Sequence, residues 1–269
     1  MNVTSETLFH FTDSLKNIKS ILAKKFMLSY CHESFSIDDE VIFNHYFPMI
    51  SFCDLPLTLA KDHIYKYGSY AIGLSKDWGI RNKLNPVIYI EKNSIVASDL
   101  KIALKAFKKM SDDYYEIKKL QTENQKKMLD VLFDSMKKAA FSNLSFMRNI
   151  KNYQAELKRK DIIVDKNYRF YDEREWRFMP SFEDDRVDPM LDENKYKKLR
   201  GSLRMKLLID KIILNFTVDD IKYLIVKSNV DIPKLVRFIK STDNLIKNAD
   251  EADILTTRIL TTDQLRSDF

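Results

Sequence analysis

Between Pro86 and Pro180 the chain contains neither a proline nor a glycine. A stretch without either residue has nothing to break a helix and nothing that adopts a left-handed turn without strain, so it folds into long regular elements. Most of it is rich in Lys, Glu, Gln, Leu, Met and Ala, the good helix formers. Leu104, Phe107, Tyr114 and Ile117, then Leu129, Leu132, Phe133 and Met136, recur at helical spacing. The pattern predicts two or three amphipathic helices over residues 95–160. Residues 101–160 also hold 15 Lys/Arg against 7 Asp/Glu, a net of +8 in a chain of net +6, so the remainder is −2. That charge is either the solvated face of surface helices or an arm facing RNA or DNA. In the second case Lys108, Lys109, Lys126 and Lys127 would meet phosphates.

The flanks read differently. Residues 7–12, 26–31, 48–53, 69–74 and 87–90 are short strand-like runs. Helices are expected at 15–22 after the Asp13-Ser14 cap, at 57–65 and at 76–83. Beyond the helical segment, 175–179 alternates as a strand and 211–216 is nearly continuous and apolar. Thr217 is expected to cap a helix over 218–227, and 254–260 reads as a terminal strand. Short strands mixed irregularly with helices imply an α+β fold, without the regular alternation of a parallel sheet. The organisation is a core built from 1–94 and 166–269, interrupted by a basic helical insertion at 95–165. Two cysteines, Cys31 and Cys53, exclude a disulfide framework and a zinc cluster. No apolar run approaches a membrane span, and MNVTSETLFHF has no signal-peptide pattern, so a cytoplasmic protein without membrane contact is expected.

There is no Walker A loop, Gly-x-Gly-x-x-Gly, Gly-x-Ser-x-Gly or His-Glu-x-x-His. With 4 glycines in all, a phosphate cradle of consecutive backbone amides is nearly excluded. Three constellations remain. In the first, His10 sits between Phe9 and Phe11 and points away from both, so His10 and Thr12 share either a cleft or a half-buried face with the imidazole on a backbone carbonyl. The second is SFCDLPLTLAKDHIYKYGSY, which gathers His63, Tyr65, Tyr67 and Tyr70 around Gly68 downstream of Ser51. Those rings would stack on a planar heterocycle or pack a helix end. The third, YDEREWRF, places Glu173, Glu175 and Arg177 on one strand face. Two carboxylates and a cation there would divide acid–base work from charge stabilisation, or form cross-strand ion pairs.

These motifs in this order resemble the AbiGi family of abortive phage-infection proteins. The carrying segments are LFHFTDSLKNIKSIL, PMISFCDLPL, HIYKYGSYAIGLSKDWGI with NPVIYI, and DEREWRF, spanning roughly 8–92 and 170–225. More distantly the skeleton is similar to ADP-ribosyltransferases such as DarT, which modifies nucleic acid. That likeness implies a split mixed sheet carrying the basic insertion, with NAD as substrate and no metal. It would place His10 on the NAD ribose with Thr12 beside it, and Tyr67 or Tyr65 on nicotinamide. Glu175 would stabilise the oxocarbenium-like transition state and Glu173 would orient the acceptor, with Ser51, His63, Tyr70 and Arg177 around the cofactor. The AbiGi likeness implies instead an antitoxin paired with a nucleotidyltransferase-like toxin. One observation separates the two: His10, a tyrosine and Glu175 lining one pocket, or Glu175 consumed in a buried salt bridge with Arg177 or Lys211.

Overall fold

The computed structural model describes residues 5–120, 122–159, 162–181, 184–242 and 245–268. In chain order the first half runs β1 (Thr7–Thr12), α1 (Leu15–Lys24), β2 (Phe26–Met27), β3 (Ser29–Ile37), β4 (Glu40–Cys53), α2 (Ala60–Tyr67), β5 (Tyr70–Ser75), α3 (Lys76–Arg81), β6 (Asn85–Pro86) and β7 (Ile88–Ile90). Two 25-residue helices follow, α4 (Ile95–Lys119) and α5 (Glu123–Met147). Next come β8 (Ile150–Asn152), β9 (Gln154–Arg159), β10 (Ile162–Arg169), β11 (Glu175–Phe178), α6 (Glu193–Leu199), α7 (Leu203–Ile209) and β12 (Ile213–Leu214). The chain closes with β13 (Ile221–Val226), α8 (Ile232–Lys240), α9 (Ala249–Thr257), β14 (Ile259–Thr261) and α10 (Thr262–Asp268).

The central sheet is mixed, in the order β14-β13-β5-β1-β4-β11-β6, with β3 paired to β4 as its eighth strand. Only the β13–β14 pair within it is parallel. Period-two alternation assigns its two faces. Leu8, Phe52, Ile72, Leu74 and Leu224 join Ile18 and Leu22 of α1, Trp78 of α3, Leu235 of α8 and Leu255 of α9 in the main core. Phe9, Ala71 and Ile225 face the other way, against Ile64 of α2 and Leu265 of α10. Beyond the sheet, the β3–β4 ribbon carries a third core of Phe35, Ile37, Phe43, Phe47 and Met49, closed by Ile90, Ala97, Met147 and Ile150.

The α+β class and the long helices agree with the sequence. Several elements differ. The ribbon β3–β4 is far longer than two short strands, because Asp38 and Asp39 both take positive φ (47° and 62°) and make a two-residue hairpin turn. Residues 221–226 form a strand, β13, instead of a helix. An apolar run buried on both faces has no period to mark it as strand or helix. Residues 249–257 form helix α9, started by Asn248, whose side chain accepts from the Glu251 amide. The insertion contains β8, β9 and the first half of β10 as well as two helices. Gly68 ends α2 at φ 115°, where a Cβ would stand 2.2 Å from the Thr12 carbonyl oxygen, so only glycine lets α2 abut β1.

Candidate functional site

The site grows from the pairing of β11 with β4. Glu175 lies opposite Cys53, Trp176 opposite Phe52, Arg177 opposite Ser51 and Phe178 opposite Ile50. Alternation sends Trp176 and Phe178 to the main core and puts Glu175 and Arg177 on the Ser51 face. Upstream, Phe170–Glu173 is one 3-10 turn, and Arg174 (φ 44°, ψ 51°) takes the left-handed conformation that swings the chain into β11. Glu173 therefore reaches the same buried cluster from a turn, where the sequence placed it on the strand.

Arg177 is buried and donates four hydrogen bonds. Its Nε and Nη2 donate to Glu175 Oε1 at 2.8 Å and Oε2 at 3.0 Å, Nη2 also to Glu33 Oε2 at 2.8 Å, and Nη1 to the Arg148 carbonyl at 2.8 Å. Ser51 Oγ donates to Glu175 Oε1 at 2.6 Å. Lys151 Nζ donates to Glu175 Oε2 at 3.0 Å and reaches Glu173 Oε2 at 3.4 Å. The Glu175 carboxylate thus accepts two donors on each oxygen, which fills its lone-pair directions. Its amide donates to the Tyr89 hydroxyl at 2.8 Å, and Tyr89 and Lys151 are themselves register partners on the parallel pair β7–β8. The Tyr67 hydroxyl donates to Glu173 Oε1, and the His63 ring stacks on Tyr67 at 5.6 Å.

The two carboxylates are driven apart electrostatically. Burial pushes Glu175 toward neutrality, but the Arg177 guanidinium and Lys151 ammonium overcome it and hold the carboxyl well below the usual range. Glu173 is pushed well above its ordinary value, by burial first and then by the Glu175 and Glu33 charges. With Glu173 neutral, Arg177 and Lys151 balance Glu175 and Glu33, and the cluster closes at zero net charge. Removing one partner of a buried ion pair leaves an uncompensated charge away from water and costs about 3–5 kcal/mol.

Of the sequence-predicted residues, Ser51, His63, Tyr67, Glu173, Glu175 and Arg177 come together here. His10 does not. It lies on the opposite face, its ring 5.2 Å from Phe26 and 5.6 Å from Phe52, with Nδ1–H donating to the Ser51 carbonyl at 2.9 Å. Burial lowers its pKa, only partly offset by that bond. Thr12 accepts from Asn17 of α1 at 2.8 Å, and Tyr70 donates to Asp231 at 2.9 Å, both away from the carboxylates. The Tyr65 side chain lies outside the described residues. A recess of about 510 Å³ opens nearby, lined by Leu55, Leu59, His63, Lys66, Tyr168, Asp172 and Arg174, and neither carboxylate lines it.

Sequence reasoning missed Glu33, Tyr89 and Lys151. Glu33 had a signal, since it continues the inward period of Phe35 and Ile37 along β3. Lys151 was hidden in the basic run, and only β8, a three-residue strand, turns it inward. That run is less basic at the surface than its sum. Helices α4 and α5 carry ten Lys against seven Asp/Glu, and half of the +8 follows Met147, where Arg148 and Lys151 are turned inward. Lys108, Lys109 and Lys127 are exposed, while Lys126 pairs with Glu123 at 2.7 Å.

The molecule is thus a mixed α+β protein whose sheet locks a neutralised ion cluster against an inserted helical hairpin. The family model of abortive phage resistance protein AbiGi, described as an antitoxin, matches residues 24–227. A relative named abortive phage resistance protein AbiGi, from Lactococcus lactis subsp. cremoris, is 31% identical over 244 residues, covering 83% of this chain and 89% of its own. The chain belongs to the AbiGi family. No solved structure matches it, and among the described residues no helix is long and apolar enough to cross a membrane.

Proposed function

We propose that the protein is a non-catalytic antitoxin of an abortive-infection system, neutralising a partner toxin by protein–protein contact on a degenerate transferase-like scaffold. The observation that carries this reading is the state of Glu175. Its four acceptor directions are taken by Ser51, Arg177 and Lys151. A carboxylate in that state has no lone pair left for a ribose hydroxyl or a nucleophile. His10, the partner a transferase would need beside it, is on the other face of the sheet. The description of the family as an antitoxin supports the same reading. The many Lys–Asp/Glu pairs on α4 and α5 favour a protein partner over nucleic acid.

The test is co-expression with the cognate toxin, scored by growth and by co-elution of the two purified proteins. Restored growth with a stable complex is expected, and no nicotinamide release from NAD with or without RNA or DNA. Release of nicotinamide by the wild type that Glu175→Gln abolishes would sink the proposal and restore the ADP-ribosyltransferase.

A further inference from the structure

Helix α4 is apolar on two sides. Its inner side is accounted for: Ala97, Leu100 and Leu104 pack on the ribbon core, and Tyr114 stacks on Phe133 of α5 with ring centroids 3.5 Å apart. At about 100° per residue, Ile95, Ile102, Met110 and Ile117 fall within one arc of roughly 80° on the outer side, with Ala106 at its centre. Ile117, which recurs at helical spacing with Tyr114 in the sequence, stands on this outer side. Ile95 is 81% exposed, Ile102 66%, and Met110 and Ile117 46% each, with Leu120 at 85% just past the helix end. The stripe runs about 37 Å. A helix apolar on both sides is normally buried on both, and exposed apolar residues recurring on one face over this length mark a protein partner.

The charges on the strip select the occupant. Asp99 and Asp113 lie in the same arc, exposed, and neither forms an ion pair among the described residues. Lys109 and Glu116 stand at one edge, so the charge inside the arc is negative only. A second copy packed antiparallel about Ala106 would match Ile95 with Ile117 and Ile102 with Met110, but it would set Asp99 against Asp113 twice. Parallel packing would set each aspartate against itself. Like charges directly apposed disfavour either arrangement. A different protein that supplies apolar residues along the strip and Lys or Arg opposite both aspartates, about 21 Å apart, has no such conflict.

We propose that the outer face of α4, from Ile95 to Ile117, is where the partner toxin docks, through an apolar helix or groove with basic residues facing Asp99 and Asp113. The inference rests on the antitoxin reading and names its contact surface. The test measures binding of the cognate toxin to the full chain and to Ile102→Asp/Ile117→Asp and Asp99→Lys/Asp113→Lys, with Lys108→Ala/Lys127→Ala as control. All positions are exposed, and unchanged melting curves establish that the variants fold. Each face variant is expected to lose at least about tenfold in affinity and to fail in growth rescue, with the control unaffected. If the wild type binds toxin and both face variants bind equally well, the docking surface is wrong and the antitoxin reading stands. If the wild type neither binds nor neutralises toxin, the antitoxin reading itself falls and this occupant with it. Sedimentation showing a wild-type dimer that Ile102→Asp/Ile117→Asp dissolves would overturn the proposal in favour of a second copy.

Discussion

Replacing Glu175 and Glu173 in turn by Gln should shift stability in opposite directions, although the residues are two apart and share one cluster. In Glu175→Gln, Arg177 and Lys151 remain buried with Glu33 as the single charged acceptor, because Glu173 is neutral. Breaking a buried pair costs about 3–5 kcal/mol, a large part of the ~5–15 kcal/mol that holds a domain folded. At about 2–4 °C per kcal/mol, Tm falls by roughly 6–20 °C. In Glu173→Gln the side chain stays neutral, and its amide oxygen still accepts from Tyr67 or Lys151. The folded-state pKa of Glu173 is raised, so the unfolded chain loses a proton, near pH 4.3 for a free glutamate, that the native state keeps. Wild-type stability therefore drains away as pH rises above about 4 toward the folded value, at about 1.4 kcal/mol per pH unit. Glutamine removes that loss, so the variant should match wild type near pH 4 and gain on it toward pH 7. Glu175 carries the other sign, with a depressed folded pKa. Its contribution is present above about pH 4 and lost below, so the Glu175→Gln deficit should shrink in acid. Urea titrations followed by circular dichroism read the Glu173 slope between about pH 4 and 8, and the Glu175 slope in the same series extended below about pH 4. Destabilisation by both variants at pH 7, or a Glu173→Gln curve parallel to wild type across the series, would mean that Glu173 is not held neutral in the fold.

Three further outcomes are expected. Gly68→Ala should prevent soluble expression or lower Tm steeply, since its Cβ meets the Thr12 carbonyl at 2.2 Å, whereas Gly201→Ala, with φ 75° and open space, should cost only about 1 kcal/mol; equal effects in thermal melts would contradict the close approach at β1. Tyr67→Phe removes a donor to buried Glu173 and should cost about 1 kcal/mol in urea denaturation; no change would mean the hydroxyl is not holding the carboxyl. The His10 imidazole should titrate below its ordinary 6.5 by NMR because burial opposes its charge, and stability should fall as pH drops through the unfolded value near 6.5. A midpoint at or above 6.5 would contradict a ring buried in its neutral form.

Much of the site could be read from sequence because its residues follow strand periodicity. Ser51, Glu175 and Arg177 share a face by alternation alone, and Tyr67 lies at the helix end that the Gly68 punctuation marks. The failures have a common physical cause. His10 alternates correctly with Phe9 and Phe11, but alternation says only that it faces away from them. Both faces of this sheet are covered, so neither side of the strand was free to be a cleft. Lys151 and Glu33 entered through pairings more than 20 and 140 residues away in sequence from the strand they neutralise, a distance over which local pattern carries no information. Segment 218–227 failed because Ile221, Leu224, Ile225 and Val226 are all buried, leaving neither a helical nor a strand period to detect.

The parallel pair β7–β8 sets Ile88 beside Ile150 and Ile90 beside Asn152. Residues 91–149 thus leave from the far end of β7 and return at the near end of β8, about one strand length, roughly 10 Å, apart. An excursion rooted on two paired strands has a reach independent of its root. Deleting two turns, seven residues, from each helix would retract the tip by about 10 Å while keeping the helices in phase and both ends where they are. The hairpin is an arm of adjustable length on a fixed shoulder, and its span can change without disturbing a single contact of the ion cluster.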